Sequence, residues 1–289
     1  MSTNPQKILV LGASGMLGSA VLRYFAAQPD IHVTGMMRSC AAVQLLPEAV
    51  RDFVVTGIDV ENTDQLTQLF ARARPNLVIN CIGLIKQLSD AKDPLAAIPI
   101  NSILPHRLAR LCELLDARLV HLSTDCVFSG DKGSYTEADV PDARDVYGRT
   151  KLLGEVDYPN AITLRTSIIG HELSSSKSLL NWFLSQRGTV NGFTRAVFSG
   201  LPTVEIARVI HQLVMPNPNL RGLYHLSVAP INKFDLLKLF AKAYGKQIEV
   251  VPNDNLVIDR SLDSTRFREA TGFVPPSWPE LIDTMRNFG

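Results

Sequence analysis

The chain has 289 residues, of which 46% are hydrophobic and 20% are charged, so it can bury a sizeable core. This length fits two small domains or one α/β domain with an appendage. The formal net charge is +1 and like charges form no run, which argues against a nucleic-acid or membrane-surface partner. No apolar run approaches the roughly 18 residues that a membrane span needs.

The cysteines lie far apart and fit no zinc-binding spacing; they are Cys40, Cys81, Cys112 and Cys126. Scattered cysteines in a chain of this length are typical of reduced thiols in the cytosol. The N-terminus carries one lysine before a strand that a glycine ends, which is unlike a signal peptide. We therefore expect a cytoplasmic protein that binds no metal.

Short apolar runs alternate with helical patterns up to Thr166. The predicted strands are Ile8–Leu11, Ile31–Met37, Phe53–Ile58, Leu77–Ile82, Arg118–Leu122 and Ala161–Arg165. The predicted helices follow Gly18, cover Asn62–Ala73 and Tyr147–Val156, and lie within Pro94–Asp116. Apolar strands that alternate with helices indicate a parallel sheet covered on both faces. This is the α/β pattern of a Rossmann-type, doubly wound sheet.

Beyond Thr166 the alternation is less regular. The sequence predicts a helix at Leu179–Leu184, an N-cap at Thr203, and a strand at Gly222–Val228 that rejoins the main sheet. We predict an NAD(P)-binding Rossmann domain from residues 1–166 and about 200–228. A smaller C-terminal substrate-binding domain would comprise about 167–199 and 229–289, and would cover the crevice at the carboxyl ends of the strands.

The first predicted strand ends in a glycine turn, GASGMLG, that a helical pattern follows. Gly12 permits a tight turn, Gly15 leaves room for a pyrophosphate, and Gly18 lets the helix pack on the strand. A dinucleotide phosphate would meet backbone N–H groups there, at the start of the helix. The turn also contains Ser14, Met16 and Leu17. The spacing is GxxGxxG, not the GxGxxG of the general dinucleotide fingerprint.

Tyr147 and Lys151 are four residues apart and share one face of a predicted helix. A tyrosine phenol with a pKa of about 10 is a poor acid–base group at neutral pH. A nearby ammonium favours the phenolate and lowers that pKa. Ser123 and Thr124 follow the fifth strand, where a hydroxyl can hydrogen-bond a substrate carbonyl. The set indicates acid–base chemistry on a carbonyl group.

These motifs resemble the short-chain dehydrogenase/reductase superfamily, in its extended branch. The matching residues are GASGMLG (12–18), Asp59-Val60, Asn80-Cys81-Ile82-Gly83, Asn101, STD (123–125) and YGRTK (147–151). Within the superfamily the chain is similar to the dTDP-4-dehydrorhamnose reductase group. That likeness rests on STDCVFSG (123–130), GSYTE (133–137), LRTSIIG (164–170), FSGLPT (198–203) and RSLDSTRF (260–267).

The resemblance implies a role for each matching residue. Tyr147 would give a proton to the carbonyl oxygen, Lys151 would bind the nicotinamide ribose, and Thr124 would be the catalytic hydroxyl. Asn101 would support a proton-relay water, although a hydrogen bond at a helix start explains it equally well. The implied cofactor contacts are the glycine turn, Asp59 and Val60 at the adenine, and the loop Asn80, Cys81, Ile82 and Gly83. For Asn80 the alternative is a structural tie between two strands.

The residues after the second strand bear on the choice of cofactor. An NAD enzyme usually places an acidic side chain there to hold the ribose 2′-hydroxyl, but Thr34–Ser39 contains no acid. Arg38, helped by Ser39, is well placed for a 2′-phosphate. We therefore expect NADP, with NADPH favoured over NADH. An arginine without this role, at the surface of a strand end, is the alternative.

Two segments depart from the rhamnose reductase group. Cys126 stands where that group usually has tyrosine, and Cys81-Ile82-Gly83 stands where it usually has alanines. In GDP-fucose synthase, an epimerase–reductase, a cysteine that matches Cys126 is an acid–base group, and a thiol can exchange a proton beside a keto group. That enzyme needs a histidine partner, and His171 falls several residues early. The other interpretation of Cys126 is a small buried residue in a polar loop.

Arg165, Arg195 and Arg260 could each clamp the pyrophosphate of a nucleotide sugar, or could equally be salt-bridged or exposed.

The function we expect is NADPH-dependent reduction of a nucleotide-activated 4-keto-6-deoxy sugar in surface polysaccharide biosynthesis. The alternatives are an epimerase/reductase that uses Cys126, and a non-catalytic NADP-binding regulatory subunit like that of methionine adenosyltransferase. The expected partner is a small-molecule nucleotide sugar, and the candidate assembly is a homodimer.

Overall fold

A computed structural model of the chain describes residues 5–85 and 92–289. The strands in these residues are β1 (Gln6–Leu11), β2 (Ile31–Met36), β3 (Val54–Val55), β4 (Leu77–Asn80), β5 (Arg118–Thr124), β6 (Ala161–Thr166), β7 (Ile168–Ile169), β8 (Thr189–Phe193), β9 (Ala196–Phe198), β10 (Leu201–Pro202), β11 (Gly222–His225), β12 (Ile231–Asn232), β13 (Glu249–Asn253) and β14 (Ile258–Asp259). The α-helices are α1 (Met16–Ala26), α2 (Thr63–Ala73), α3 (Pro94–Ala97), α4 (Leu104–Leu114), α5 (Val146–Leu153), α6 (Leu179–Ser185), α7 (Thr203–Val209), α8 (Lys233–Ala243), α9 (Thr265–Thr271) and α10 (Trp278–Phe288).

The main sheet of the described chain has seven strands in the order β11-β6-β5-β4-β1-β2-β3. Strand β1 pairs in parallel with β2 and β4, and β4 pairs in parallel with β5. The strand order reverses between β1 and β4, and open α/β sheets bind ligands outside the carboxyl ends of the strands at such a point. The predicted Rossmann-type α/β fold is confirmed, and so is the strand that rejoins the sheet, as β11.

The apolar pattern of the strands explains why they form the centre of the sheet. All of β4 and the last four residues of β1 are buried. Leu9 and Val78 pack in one cluster with Phe70 of α2 and Leu108 of α4. Each such side chain contributes about 1.5–3 kcal/mol when it is fully buried. The sheet therefore holds the carboxyl ends of β1, β4 and β5 in fixed positions, and candidate site residues follow each of them.

Two details of the helices differ from the sequence expectations. The helix predicted within Pro94–Asp116 is α3 and α4 joined by a π-helical segment, Ile98–Ile103. Thr203 is the first residue of α7 and not its N-cap, which is Pro202. The N-cap prediction was wrong because β10 runs directly into the helix, and the Thr203 side chain packs at Gly170.

The chain divides into two compact units. The first unit consists of Met1–Ser123, Asp145–Leu164 and Pro218–Leu223, and the second of Thr124–Arg144, Arg165–Asn217 and Tyr224–Gly289. Residues 124–144, 165–166, 200–217 and 224–228 were assigned to the Rossmann domain from the sequence, and they lie in the second unit. The assignment of cofactor binding to one part and of substrate binding to the other stays a prediction.

Within 5–85 and 92–289, no helix has the length and apolar character to cross a bilayer. The same residues contain no group of three or more His, Cys, Asp and Glu side chains that could hold a metal ion. The cysteines are free thiols, of which Cys112 is buried and Cys40 is exposed.

Candidate active site

The turn after β1 forms the start of α1. Gly12 has φ +84°, in the left-handed region that favours glycine. Gly15 is the N-cap, and its N–H donates to the Gly12 carbonyl at 3.0 Å. The helix start has neither a side-chain cap nor an acidic residue in its first turn. The first backbone N–H groups of α1 are therefore suited to an anion.

Gly18 sets the distance between α1 and β1. A Cβ atom at Gly18 would overlap the Gly12 carbonyl oxygen, and one at Gly12 would lie 2.9 Å from Cγ1 of Ile82. The other turn residues range from exposed to buried: Ser14 and Gly15 are exposed, Met16 is half-buried and Leu17 is buried. This close approach of backbone on backbone, with an exposed glycine at the N-cap, fits a dinucleotide pyrophosphate.

The residues predicted at the adenosine end follow the neighbouring strands β2 and β3. Arg38 is exposed, two residues beyond the end of β2. Asp59 is exposed, and its carboxylate accepts the N–H of Glu61 at 3.0 Å. Val60 is buried in the apolar cluster below. The roles of Arg38 at a 2′-phosphate, and of Asp59 and Val60 at the adenine, stay predictions.

The loop Asn80–Gly83 lies against the glycine turn. The Asn80 side chain is buried; its Oδ1 accepts the N–H of Ile82 at 3.1 Å, and its Nδ2 lies 3.1 Å from Nδ1 of His121 on β5. The Cys81 N–H donates to the Leu11 carbonyl at 3.0 Å. Asn80 thus ties β4 to β5, as its structural interpretation expects, and it also holds the backbone of the predicted cofactor loop.

Helix α5, whose N-cap is Asp145, carries the predicted Tyr-Lys pair. Tyr147 is half-buried, whereas Lys151 is 5% exposed and its Nζ donates to the Leu122 carbonyl at 2.7 Å. Burial lowers the pKa of Lys151 to about 8, against an opposing effect of Glu155. The ammonium is therefore fixed on β5, close to its carboxyl end, and it begins to lose its proton just above neutral pH.

Asn101 lies inside the π-helical segment and is 1% exposed. Its Oδ1 accepts the N–H of Leu84 at 2.9 Å, and its Nδ2 lies 3.3 Å from the Thr150 hydroxyl. The Thr150 hydroxyl in turn donates to the Tyr147 carbonyl at 3.0 Å. Asn101 is consequently not a helix-start residue. It connects the loop after Gly83 to the helix of Tyr147, and its predicted role with a relay water stays a prediction.

The adjacent hydroxyls at the end of β5 have different partners. In the first unit, Ser123 donates to Oε1 of Glu155 at 2.7 Å. In the second unit, the Thr124 hydroxyl donates to Oδ1 of Asp125 at 3.2 Å and accepts the N–H of Cys126 at 3.1 Å. The hydroxyl has a single proton, which it donates to Asp125. The role of Thr124 at a substrate carbonyl stays a prediction.

Charged side chains of the second unit interact with Cys126. Burial and the Asp125 carboxylate raise the pKa of Cys126 to about 12, whereas Arg260 opposes the change. The group at neutral pH is therefore a thiol. Burial lowers the pKa of Lys233, the first residue of α8, and the lysine interacts with both Asp125 and Cys126. Arg260 donates its Nε–H to the Phe128 carbonyl at 2.7 Å.

The other arginines predicted as clamps lie in contrasting environments. Arg165 is 3% exposed, with one guanidinium nitrogen 3.2 Å from Nε2 of His225 and the group 5.3 Å above the Phe128 ring. Arg195 is exposed. Arg165 is therefore buried beside the rings of His225 and Phe128 and is not exposed, whereas its role as a pyrophosphate clamp stays a prediction.

Sequence reasoning missed His121 and Lys233. Alternation along β5 places His121 on the same face as Ser123, and that spacing was the available signal. Lys233 follows the N-cap Asn232. A cation in the first turn opposes the helix dipole, so a lysine there is a local conflict of the kind found at functional sites.

The family model described as "RmlD substrate binding domain" matches residues 6–287. The chain belongs to this family. It is an extended short-chain dehydrogenase/reductase of the dTDP-4-dehydrorhamnose reductase-like type, as the motifs predicted, and reductases of this type are NAD(P)-dependent oxidoreductases.

The chain is similar to reductases and to a subunit of methionine adenosyltransferase 2. It is 28% identical to the "probable low-salt glycan biosynthesis reductase Agl14" of Haloferax volcanii, over 88% of this chain and 83% of the relative. It is 27% identical to dTDP-4-dehydrorhamnose reductase of Mycolicibacterium smegmatis, over 85% and 72%. It is also 26% identical to methionine adenosyltransferase 2 subunit beta of Rattus norvegicus, over 83% and 72%.

The fold is similar to that of solved structures. The dTDP-4-dehydrorhamnose reductase of Bacillus anthracis, solved in complex with NADP, superposes with a TM-score of 0.79 at 20% identity, over 98% of this chain and 99% of that one. At this level of identity the likeness shows that the two proteins share a fold.

Proposed function

We propose that the chain is an NADPH-dependent reductase of a nucleotide-activated 4-keto-6-deoxy sugar that serves surface polysaccharide biosynthesis. The observation that carries the proposal is the arrangement on α5. Tyr147 is half-buried, and four residues later Lys151 is buried with its ammonium on the Leu122 carbonyl. This arrangement lies in the first unit, which also contains the glycine turn.

Each residue has a defined part in the proposed reaction. The chemistry that the nicotinamide supplies when bound is a hydride. The Tyr147 phenol gives its proton to the keto oxygen, so that hydride and proton together convert C=O to CH–OH. The Lys151 ammonium binds the nicotinamide ribose and favours the phenolate that remains. The Thr124 hydroxyl donates to the keto oxygen, and Asn101 holds a relay water.

The substrate and cofactor parts of the proposal have separate support. The names of the Mycolicibacterium and Haloferax relatives support a nucleotide-sugar reductase and a role in glycan synthesis. Arg38, exposed just beyond β2 in a segment without an acid, supports the 2′-phosphate of NADPH. NADP in the Bacillus structure supports the same choice.

The test measures NADPH oxidation with dTDP-, UDP- and GDP-linked 4-keto-6-deoxy sugars. We expect turnover with at least one sugar and a loss of about 10³-fold or more in Tyr147→Phe, since this variant keeps the ring but cannot supply the proton. A wild type that is as inert as Tyr147→Phe with every sugar would contradict the proposal.

The rat relative favours a second candidate, a non-catalytic NADP-binding regulatory subunit. That candidate predicts tight NADPH binding, no oxidation of NADPH with any keto sugar, and a stable hetero-oligomer.

An epimerase/reductase is the other alternative. It would exchange the hydrogen on the ring carbon beside the keto group for solvent deuterium, and Cys126→Ser would abolish this exchange. The Cys126 thiol is protonated at neutral pH, so it could serve as the acid of such an exchange and not as its base.

A further inference from the structure

His121 is a buried histidine whose protonation state follows from its neighbour. The Asn80 amide is oriented by the N–H of Ile82, which donates to Oδ1 at 3.1 Å. The other end of the amide, Nδ2, is therefore the group that faces Nδ1 of His121 at 3.1 Å. An amide NH₂ only donates, so Nδ1 must accept, and the ring carries its proton on Nε2.

The surroundings of His121 keep the ring neutral. The side chain is 0% exposed, and the charges that act on it are Lys151 on α5 and His106 on α4. Burial, with these positive groups, lowers the pKa of His121 well below its ordinary value. A second proton would have to enter at Nδ1, where it would oppose the Asn80 NH₂ group.

The second ring nitrogen of His121, Nε2, makes no hydrogen bond in the described part of the chain that would explain why a histidine occupies this position. Nε2 of His121 is buried and has no hydrogen-bond partner among the described residues. An unpaired buried donor is unfavourable. The contact to Asn80 is therefore what the polar ring provides, and it is made at a cost to folding.

The contact matters because of what Asn80 holds. The Ile82 backbone N–H is bound to Asn80, and this nitrogen lies 3.2 Å from the place that a Cβ atom of Gly12 would occupy. The preceding N–H, of Cys81, donates to the Leu11 carbonyl at 3.0 Å. The loop and the glycine turn are thus in contact, and the Asn80 side chain fixes one side of that contact.

We infer that His121 is a positioning residue for dinucleotide binding, which holds Asn80 through an unprotonated Nδ1 and thereby keeps the Asn80–Gly83 loop against the Gly12 turn. The inference rests on a nicotinamide cofactor in the first unit and not on the keto sugar. It can fail while the reductase proposal stands, and the reverse is also true.

The test compares His121→Leu with His121→Asn in the full chain, with NADPH as the probe. Asn can place an acceptor oxygen near the position of Nδ1, whereas Leu has a similar volume and no acceptor. We expect the NADPH dissociation constant to rise about tenfold in His121→Leu and no more than about threefold in His121→Asn. Fluorescence titration of NADPH measures both, with thermal unfolding of the cofactor-free proteins as a check on folding.

Equal NADPH affinity in His121→Leu and the wild type would overturn the inference, and so would equal losses in both variants, since ring packing would then explain the effect. A measurement on the wild type is independent of how the variants fold. In the ¹H–¹⁵N spectrum of the imidazole, we expect a protonated Nε2 and an unprotonated Nδ1 from pH 8 down to pH 5. A proton on Nδ1 in that range would refute the mechanism.

Discussion

At the scale of single residues, Lys151 shows a conflict between folding and function. The side chain is 5% exposed, and burial lowers its pKa to about 8. In the unfolded chain the same group titrates at about 10.4. Below pH 8 both states are protonated, and the folded state carries the cost of a buried charge. The proposed role needs that charge, so the fold keeps a destabilising group.

Replacing Lys151 by methionine should therefore stabilise the fold while it removes turnover. We expect Lys151→Met to raise the free energy of unfolding at pH 7 by about 1–2 kcal/mol, which is the cost of the pKa shift less the lost hydrogen bond to Leu122. Between pH 8 and 10.5 the unfolded lysine binds more protons than the folded one, so the wild type gains stability and the difference narrows.

Urea unfolding at pH 7 and pH 9.5 measures both parts of this prediction. Lys238→Met, at an exposed lysine of α8, is the matched control and should show neither effect. A Lys151→Met protein that is less stable than the wild type at pH 7 would show that the hydrogen bond to Leu122 outweighs the buried charge.

At the scale of elements, the glycines of the turn after β1 meet two different requirements: close packing of α1, and space at the start of that helix. A Cβ atom at Gly18 would overlap the Gly12 carbonyl oxygen, whereas one at Gly15 would lie 3.4 Å from the same atom. Gly15 has φ −78°, which alanine also adopts, and it is exposed. Gly18 therefore serves the packing of α1, and we predict that Gly15 leaves space for the dinucleotide.

The pair Gly18→Ala and Gly15→Ala tests this separation. We expect Gly18→Ala to lower the free energy of unfolding by about 2–3 kcal/mol through overpacking. Gly15→Ala should change it by less than about 1 kcal/mol, yet raise the NADPH dissociation constant at least about tenfold, since its methyl group would stand at the helix start. Urea unfolding and NADPH titration distinguish the two. If both variants lost stability and NADPH affinity to the same extent, the division of roles between Gly15 and Gly18 would be contradicted.

The elements also show where pattern reasoning is sufficient. The buried runs of β1 and β4 and the helical spacing of α2 predicted those elements to within a few residues, because burial on a sheet or helix face repeats regularly. The π-helical segment and the N-cap of α7 were not predictable in this way. The π-helical segment inserts an extra residue into a helix whose apolar face continues on both sides, so the apolar spacing does not reveal it. The N-cap of α7 is set by the strand β10, which ends where the helix begins.

At the scale of the molecule, the sequence predicted the Rossmann-type fold and the family, and the structure and comparisons confirm both. The residues that the motifs named on the first unit do occupy the turn, the loops and α5 there. His121 and Lys233 were not found, because the local signals for them are weak and their partners, Asn80 for His121 and Asp125 and Cys126 for Lys233, come from distant parts of the chain. The roles of the site residues stay predictions until they are measured.

The preference for NADPH over NADH can be measured as a difference in the melting temperature of the whole protein. A ligand at 100 times its dissociation constant stabilises a protein by about 2.7 kcal/mol. If Arg38 binds the 2′-phosphate, NADPH should raise the melting temperature a few degrees more than NADH at the same concentration. Arg38→Ala should remove this difference, and Arg72→Ala, at an exposed arginine of α2, should keep it. Equal shifts with both cofactors in the wild type would argue against an NADPH preference.

The π-helical segment has a consequence for comparing this chain with others. A π turn adds one residue to a helix, and each α-helical residue advances the phase by about 100°. The α3 and α4 ends of the helix are thus offset from the register of an uninterrupted α-helix. A homologue that has lost one residue from Ile98–Ile103 could keep both ends and their apolar faces. If the residue lost is Asn101, the bonds of its side chain to Leu84 and Thr150 are lost with it.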